Sequence, residues 1–262
     1  MMKLNDKVAL VTGSTQGIGL AIAEALAGHG ASIALHGLCT PEEGHAQAQA
    51  CAARWGVPVR YFGADLANAE AGAALVDQVA AGFGRLDIVV NNAGIQHTAS
   101  LPEFPLDKWD AIHAINLRAP FVVMRQAIPL MRAQGWGRIV NIASVHGLVA
   151  SINKAAYCAT KHGLIGLTKV AALETATDGI TVNAICPGWT ETPLLDAQIA
   201  ARGKQKGLDR AGAIRDLVAE KQPNQIMMPP AWIGETVAFL CSEAAAGITG
   251  AAMPVDGGWT AQ

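Results

Sequence analysis

Ser144, Tyr157 and Lys161 are the residues of this chain whose types and spacing point most directly to chemistry. Tyr157 and Lys161 lie four apart within a helical pattern, so both side chains leave one face of a helix. A free phenol ionises near pH ~10 and is a poor base unless something stabilises its anion. An ammonium beside it favours phenolate and lowers that value. A serine hydroxyl at a strand end can hold an oxygen on which charge develops. With Asn116 as a fourth polar member, the set suits moving a proton to or from a carbinol oxygen. A lone Tyr-x-x-x-Lys pair is equally at home on a helix surface, so its company decides.

That company begins with Thr12-Gly13-Ser14-Thr15-Gln16-Gly17-Ile18-Gly19, between an apolar run and a helical pattern. Glycines allow a tight turn and close backbone approach, and a helix N-terminus offers free N–H groups to a pyrophosphate. The spacing is Gly-x-x-x-Gly-x-Gly rather than G-x-G-x-x-G, and alone it would describe an ordinary turn. Its place between strand and helix favours a dinucleotide, whose oxidised nicotinamide ring would also stabilise a phenolate. An acid about 20 residues further on would take the adenosine ribose hydroxyls. Here His36-Gly37-Leu38 stands at the end of the second strand, with no acid, arginine or lysine. A 2′-phosphate lacks its usual partner, so NAD is preferred over NADP. Asp65-Leu66 and Asn91-Asn92-Ala93-Gly94 also follow strands. As Asx turns they serve the backbone alone equally well.

The elements that must position these groups alternate. Apolar runs at 8–11, 32–35, 57–62, 86–90, 138–142, 180–185 and 253–255 read as strands, several of them continuous as in parallel sheets covered on both faces. Helical patterns fill 18–28, 42–55, 69–83, 107–133, 155–176 and 231–242. The expectation is an α/β chain, one doubly wound Rossmann-type domain over 1–262 with a seven-stranded, mostly parallel sheet. Residues 192–230 break the rhythm and are expected to form a small helical lid over the carboxyl ends of the strands. Within them the stretch Gly203-Lys204-Gln205-Lys206-Gly207 reads as a mobile turn.

Of the 262 residues 51% are hydrophobic and 15% charged, with a formal net charge of −2, so a large core is affordable and a nucleic-acid or membrane-surface footprint is absent. Cys39, Cys51, Cys158, Cys186 and Cys241 include no C-x-x-C pair, which argues against a disulfide framework or zinc site and for reduced thiols. No stretch approaches the ~18 uninterrupted apolar residues of a membrane span, and nothing at the start resembles a signal peptide. The expectation is a soluble cytoplasmic protein. No metal is expected; a terminal carboxylate at Gln262 is the one group that could meet an ion, and nothing favours it.

TGSTQGIG (12–19), NNAG (91–94), Asn116, Ser144, YCATK (157–161) and PGWTET (187–192) together resemble the short-chain dehydrogenase/reductase family over essentially the whole length. The resemblance implies Tyr157 as acid/base, Lys161 binding ribose and tuning Tyr157, Ser144 polarising the substrate and Asn116 anchoring a relay water. It also implies cofactor contacts from Gly13 to Gly19, with His36, Asp65 and Leu66 at the adenosine end. Asn92, Ala93 and Gly94 would meet the ribose, and Pro187, Gly188, Trp189, Thr190 and Thr192 the nicotinamide end. Members are commonly tetramers that pair the helices at 107–133 and 155–176.

Around the triad, Gln96, His146, Lys154 and Gln198 fall on segments that should border the catalytic oxygen. One ammonium, two amides and an imidazole would make a receptor for a small carboxylate. NNAGIQHT (91–98), SVHGLVASINKAAYCATKHG (144–163) and CPGWTETPL (186–194) resemble bacterial D-3-hydroxybutyrate dehydrogenases. That subfamily implies NAD-dependent oxidation of (R)-3-hydroxybutyrate to acetoacetate, with Trp189 and Trp259 as apolar walls. A 3-oxoacyl thioester reductase or polyol dehydrogenase is the same-class rival, and Lys154 and His146 would then lack a partner. A dinucleotide-sensing protein without turnover would need none of the proton-transfer set.

Overall fold

Four of the seven strands are buried at every position, which is why their sequences run apolar without alternation. In the computed structural model, which describes residues 4–261, they are β1 (Val8–Val11), β4 (Ile88–Asn91), β5 (Gly137–Ile142) and β6 (Ile180–Pro187). Flanking them are β2 (Ser32–Gly37), β3 (Val59–Gly63) and β7 (Ala252–Val255), giving the order β3-β2-β1-β4-β5-β6-β7. Every pairing is parallel, so the expected "mostly" gives way to a wholly parallel sheet. β1 pairs with both β2 and β4, and the chain reverses direction across the sheet there. A crevice opens above such a switch point, outside the carboxyl ends of the strands.

Helices cover both faces. On one, α1 (Gly17–Gly28), α2 (Pro41–Trp55) and α9 (Pro230–Leu240) pack Ile22, Leu26, Ile233 and Val237 over Ile33, Ile88 and Val140. On the other, α3 (Ala69–Phe83), α5 (Ala119–Gln134) and α6 (Ala155–Thr175) bury Leu75, Val79, Val123 and Met131 against Leu10, Val89 and Ile139. The helix expected over 107–133 is interrupted. α4 (Leu106–His113) passes into a single π turn, Ala114–Arg118, before α5 begins. The apolar periodicity carries straight through that turn, so the pattern does not reveal it. Asn116, buried within it, bonds the backbone of Ile95 through both amide atoms, at 2.9 Å each. Pinning one side chain to a neighbouring loop at this point gives a reason for the extra residue.

The excursion after β6 contains α7 (Asp196–Lys206) and α8 (Arg210–Lys221). The 203–207 stretch is not a mobile turn: α7 runs on through Lys206, and Gly207 ends it in the left-handed conformation (φ +64°). Lys204 and Lys206 sit in the last turn, where cations favour the helix dipole. The excursion returns by zipping Met228 onto Trp189 and Glu191, whose backbone bonds it makes at 3.0 Å. None of the helices is long and apolar enough to cross a membrane among the described residues.

Candidate active site

The loop leaving β1 is folded around close backbone approach. Gly13 and Gly17 take φ +62° and +57°, and a Cβ on Gly19 would stand 2.2 Å from the Gly13 carbonyl oxygen. The neighbouring turn supports it: Thr12 Oγ1 accepts the N–H groups of Asn92 and Ala93 at 3.0 Å, and Asn92 Nδ2 donates to the carbonyls of Thr12 and Gly13. The Asn92 amide is thus spent on the loop. Ser14 is likewise structural: fully buried, it accepts the His36 N–H on Oγ and does not border the cavity. At the start of α1, Gln16 makes no side-chain cap and the first turn holds no acid. Free N–H groups at a helix N-terminus without a competing carboxylate suit an anion.

Above this loop lies a cavity of about 560 Å³. Gly13, Thr15, Gln16, Gly17, Ile18 and Gly19 floor one end, with His36, Leu38, Asp65 and Leu66 beyond them. Ala93 and Gly94 line its middle beside Asn92, and Pro187, Gly188, Trp189, Thr190 and Thr192 its far end. A glycine floor held by positive φ at Gly13 and Gly17 and by the closeness of Gly19 to the Gly13 carbonyl, with an open helix N-terminus, fits a dinucleotide pyrophosphate. Leu38, Val145, Leu194 and Leu195 also line the cavity. Those four were not singled out in the sequence, because an apolar side chain carries no signal of which cavity it faces.

Tyr157 and Lys161 border the cavity, whereas Ser144 and Asn116 stand just behind its wall. Ser144 acts on the Tyr157 hydroxyl, whose pKa it lowers, and its Oγ accepts the His146 N–H at 3.1 Å. Lys161 is buried and donates from Nζ to the Ile142 carbonyl at 2.7 Å. A Cβ on Gly94 would lie 3.8 Å from that Nζ, so the 91–94 turn also approaches the ammonium. Burial pushes the Tyr157 phenol up to about 12, with the Ser144 bond pulling it back and the Cys158 sulfur raising it further. In the protein alone desolvation therefore dominates; the lowering expected from the lysine together with an oxidised nicotinamide ring is a property of the loaded site. Burial also brings the Lys161 ammonium down to about 8.

The other side of Tyr157 is aromatic. His146 meets Tyr157 and Trp259 edge-on at 5.9 and 5.6 Å, and Trp189 packs on Trp259 at 5.6 Å. Ring nitrogens of His146 face Ser144 Oγ at 3.3 Å and Ser151 Oγ at 2.9 Å. Burial first, then the charges of Lys154 and His162, lower His146 to about 3, so its ring is neutral. Lys154 is 9% exposed and its Nζ stands 5.4 Å over the Trp189 ring. Among the described residues its Nζ has no ion-pair or hydrogen-bond partner, and burial lowers its pKa. Gln96, His146, Lys154, Trp189 and Trp259 all line the cavity; Gln198 does not. Its Nε2, on α7, is buried without a partner. Among the described residues no His, Cys, Asp and Glu cluster could hold a metal, and Gln262 lies outside them.

One bracing residue carried no sequence signal. Gln222, fully buried, accepts the Trp189 N–H on Oε1 at 3.0 Å and donates from Nε2 to Asn224 Oδ1 at 3.1 Å and to the Ile226 carbonyl. It sits beside Pro223 at the end of α8, where glutamine is unremarkable in type and spacing.

Known proteins share this arrangement. A family model described as enoyl-(acyl carrier protein) reductase, adh_short_C2, matches residues 13–260. The chain is 50% identical over 259 residues to a D-beta-hydroxybutyrate dehydrogenase of Cupriavidus necator, covering 99% of this chain and 100% of that one. It is 44% identical to the D-beta-hydroxybutyrate dehydrogenase of Rhizobium meliloti strain 1021, covering 98% and 99%. The crystal structure of L-sorbose reductase from Gluconobacter frateurii, complexed with NADPH and L-sorbose, superposes with a TM-score of 0.95 at 34% identity, covering 100% and 99%. With the glycine loop, the Ser144–Tyr157–Lys161 set and this sheet order, the chain is an oxidoreductase of the short-chain dehydrogenase/reductase family.

Proposed function

We propose that this protein oxidises (R)-3-hydroxybutyrate to acetoacetate, reversibly, with NAD. The observation that carries the reading is Lys154: a buried ammonium without a counter-ion, inside the cavity that holds Tyr157. An uncompensated buried charge is costly, and a substrate carboxylate would supply the missing partner. Gln96 and His146 border the same space, and Gln198 on the lid carries a buried amide N–H without a partner. Trp189 and Trp259 offer an apolar wall for a methyl end. A thioester or a polyol would leave Lys154 unpaired.

NAD, when bound, supplies the acceptor for the hydride from the carbinol carbon. Tyr157 takes the hydroxyl proton while Ser144 holds the oxygen, so the C–H pair and the O–H proton leave to separate acceptors. Lys161 binds the ribose and favours phenolate, and the π turn at Asn116 holds a water for passing the proton on. Asp65 and Leu66 meet the adenine, the 92–94 turn the ribose, and Gly188, Thr190 and Thr192 the nicotinamide. NAD is preferred to NADP because no basic side chain borders the His36–Leu38 end. The neighbouring α2 N-terminus is already filled by the Thr40–Glu43 capping box, with Glu42 beside it. A 2′-phosphate would meet those carboxylates. The protein works in the cytoplasm as a homotetramer, a reading supported by exposed Phe121, Val170 and Leu173 on α5 and α6.

The test is nicotinamide absorbance with (R)- and (S)-3-hydroxybutyrate, a polyol and an acetoacetyl thioester, each with NAD and NADP. The reading expects turnover of the (R)-acid with NAD to exceed the others by at least tenfold. A preference for the thioester or polyol would overturn it.

A further inference from the structure

His36 stands where an acid would take the adenosine ribose, yet its ring is turned to the protein. Nδ1 accepts the Gly13 N–H at 3.0 Å, and Nε2 faces the Ala64 carbonyl at 2.9 Å. An acceptor at Nδ1 and a donor at Nε2 define one neutral tautomer. The backbone is bound as firmly: the His36 N–H donates to Ser14 Oγ at 2.9 Å, and its carbonyl accepts the Ser14 N–H at 2.8 Å. One residue, 3% exposed, thus ties the end of β2 to the glycine loop and to the turn after β3 that carries Asp65. Gly13 is held from the other side as well, since a Cβ there would lie 3.0 Å from the Ala93 Cα. The imidazole and the 91–94 turn grip the first glycine between them.

We infer that His36 is a positioning residue for the cofactor, holding the glycine loop and the 64–66 turn in the binding geometry only while its ring is neutral. Protonation would put an N–H at Nδ1 facing the Gly13 N–H, two donors with no acceptor, and the loop would have to open. The inference rests on the reading of this cavity as a dinucleotide site.

The titratable groups around the ring lie on the strands, turns and helix packed against it. On the glycine loop, Gly13 to Gln16 carry no titratable side chain. Tyr61 on β3 donates its hydroxyl to the Gly37 and Cys39 carbonyls and is pushed up to about 12, chiefly by burial, so it stays neutral. Asp65 accepts the Ala67 N–H, and Glu43 on α2 is engaged with Thr40. Cys39 accepts the Tyr61 hydroxyl on its carbonyl, and His45 on α2 meets the Tyr61 ring edge-on at 5.9 Å. Burial lowers the His36 pKa, and the Ala64 bond partly offsets it, so the neutral ring persists somewhat below the ordinary histidine range and is lost in stronger acid.

The experiment measures NAD dissociation constants by titration calorimetry on the whole protein at several pH values from 7.5 to 5. Wild type, His36→Asn and His36→Phe are compared, with melting temperatures recorded alongside. Asparagine keeps an acceptor for the Gly13 N–H that does not titrate; phenylalanine keeps the ring volume and no acceptor. The wild type is expected to lose affinity at least threefold on acidification, and His36→Asn to stay flat. His36→Phe should bind about five- to tenfold more weakly at pH 7.5, the effect of one lost hydrogen bond to a buried donor. Equal acid dependence in His36→Asn, or wild-type affinity in His36→Phe, overturns the inference alone. No NAD binding by the wild type at any pH would overturn the dinucleotide reading and the inference with it.

Discussion

Lys161 Nζ lies 5.5 Å from the centre of the Tyr157 ring while donating to the Ile142 carbonyl at 2.7 Å. The lysine is thus anchored to the end of β5, the strand that delivers Ser144 two residues later. One strand end and one helix turn fix all three groups, with the helix packed on the sheet by Leu164 and Ile165. On the proposed reading, preorganisation of this kind would place an acid and its tuner without requiring a phenolate in the protein alone.

Tyr157→Phe is expected to lower kcat by at least ~100-fold, the usual scale of a positioned proton donor or acceptor, while NAD affinity stays within twofold. The phenol acts mainly in the transition state, so loss should appear in kcat and kcat/KM alike. Steady-state assays beside calorimetric NAD titration check it. Wild-type turnover in the variant would remove Tyr157 from the mechanism.

Lys154 should separate activity from stability. Lys154→Met removes the substrate's charged partner, and kcat/KM for (R)-3-hydroxybutyrate should fall by at least ~30-fold, as for a charge-assisted bond. The same change relieves a buried ammonium with no partner, so the melting temperature should hold or rise. Scanning calorimetry and the absorbance assay on one preparation decide. A variant that loses stability along with activity would mean the lysine is a structural element, and the carboxylate reading would lose its support.

The pH dependence of stability follows from His146. Its pKa is lowered to about 3, mainly by burial, whereas the unfolded chain takes up a proton near ~6.5. Below that value the unfolded state binds a proton that the folded state does not, so stability falls as pH falls toward 3, by up to ~1.4 kcal/mol per unit. His36 adds in the same direction. Urea midpoints between pH 6.5 and 4.5 should fall less steeply for His146→Gln than for wild type. Parallel slopes would mean that the ring is protonated in the native state.

The parts legible in the sequence are those tied to backbone necessity. Val8–Val11 and Ile88–Asn91 are buried on both faces and announce parallel strands by composition alone. The glycine loop is legible because Gly13 and Gly17 need positive φ and Gly19 has no room for a Cβ. Side-chain direction is not so encoded. Gln198 falls on a segment expected to border the catalytic oxygen, as Gln96 does, yet it does not line the cavity and its amide nitrogen is buried without a partner. The depth of burial that raises the Tyr157 phenol in the protein alone has no local signature in the sequence either. The π turn at Asn116 has no signature in the sequence because adding one residue to a helix leaves its apolar face intact over so short a span.

Gln222 offers a test of how the aromatic wall is held. Its Oε1 accepts the Trp189 N–H, its Nε2 reaches Asn224 and the Ile226 carbonyl, and the Asn224 N–H in turn donates to the Gly257 carbonyl just before Trp259. Removing the side chain leaves a buried N–H without an acceptor, a loss of ~1–3 kcal/mol. It also uncouples the end of β6 from the turn that carries Trp259. Gln222→Ala should therefore lower the denaturation midpoint and raise KM for the hydroxy acid at least threefold, with a smaller change in kcat. Gln222→Glu, which keeps the acceptor for Trp189 but not the donors, should recover part of the KM loss. If alanine weakens stability alone and leaves KM as in wild type, the Trp189–Trp259 wall is held by its own packing and not by this residue.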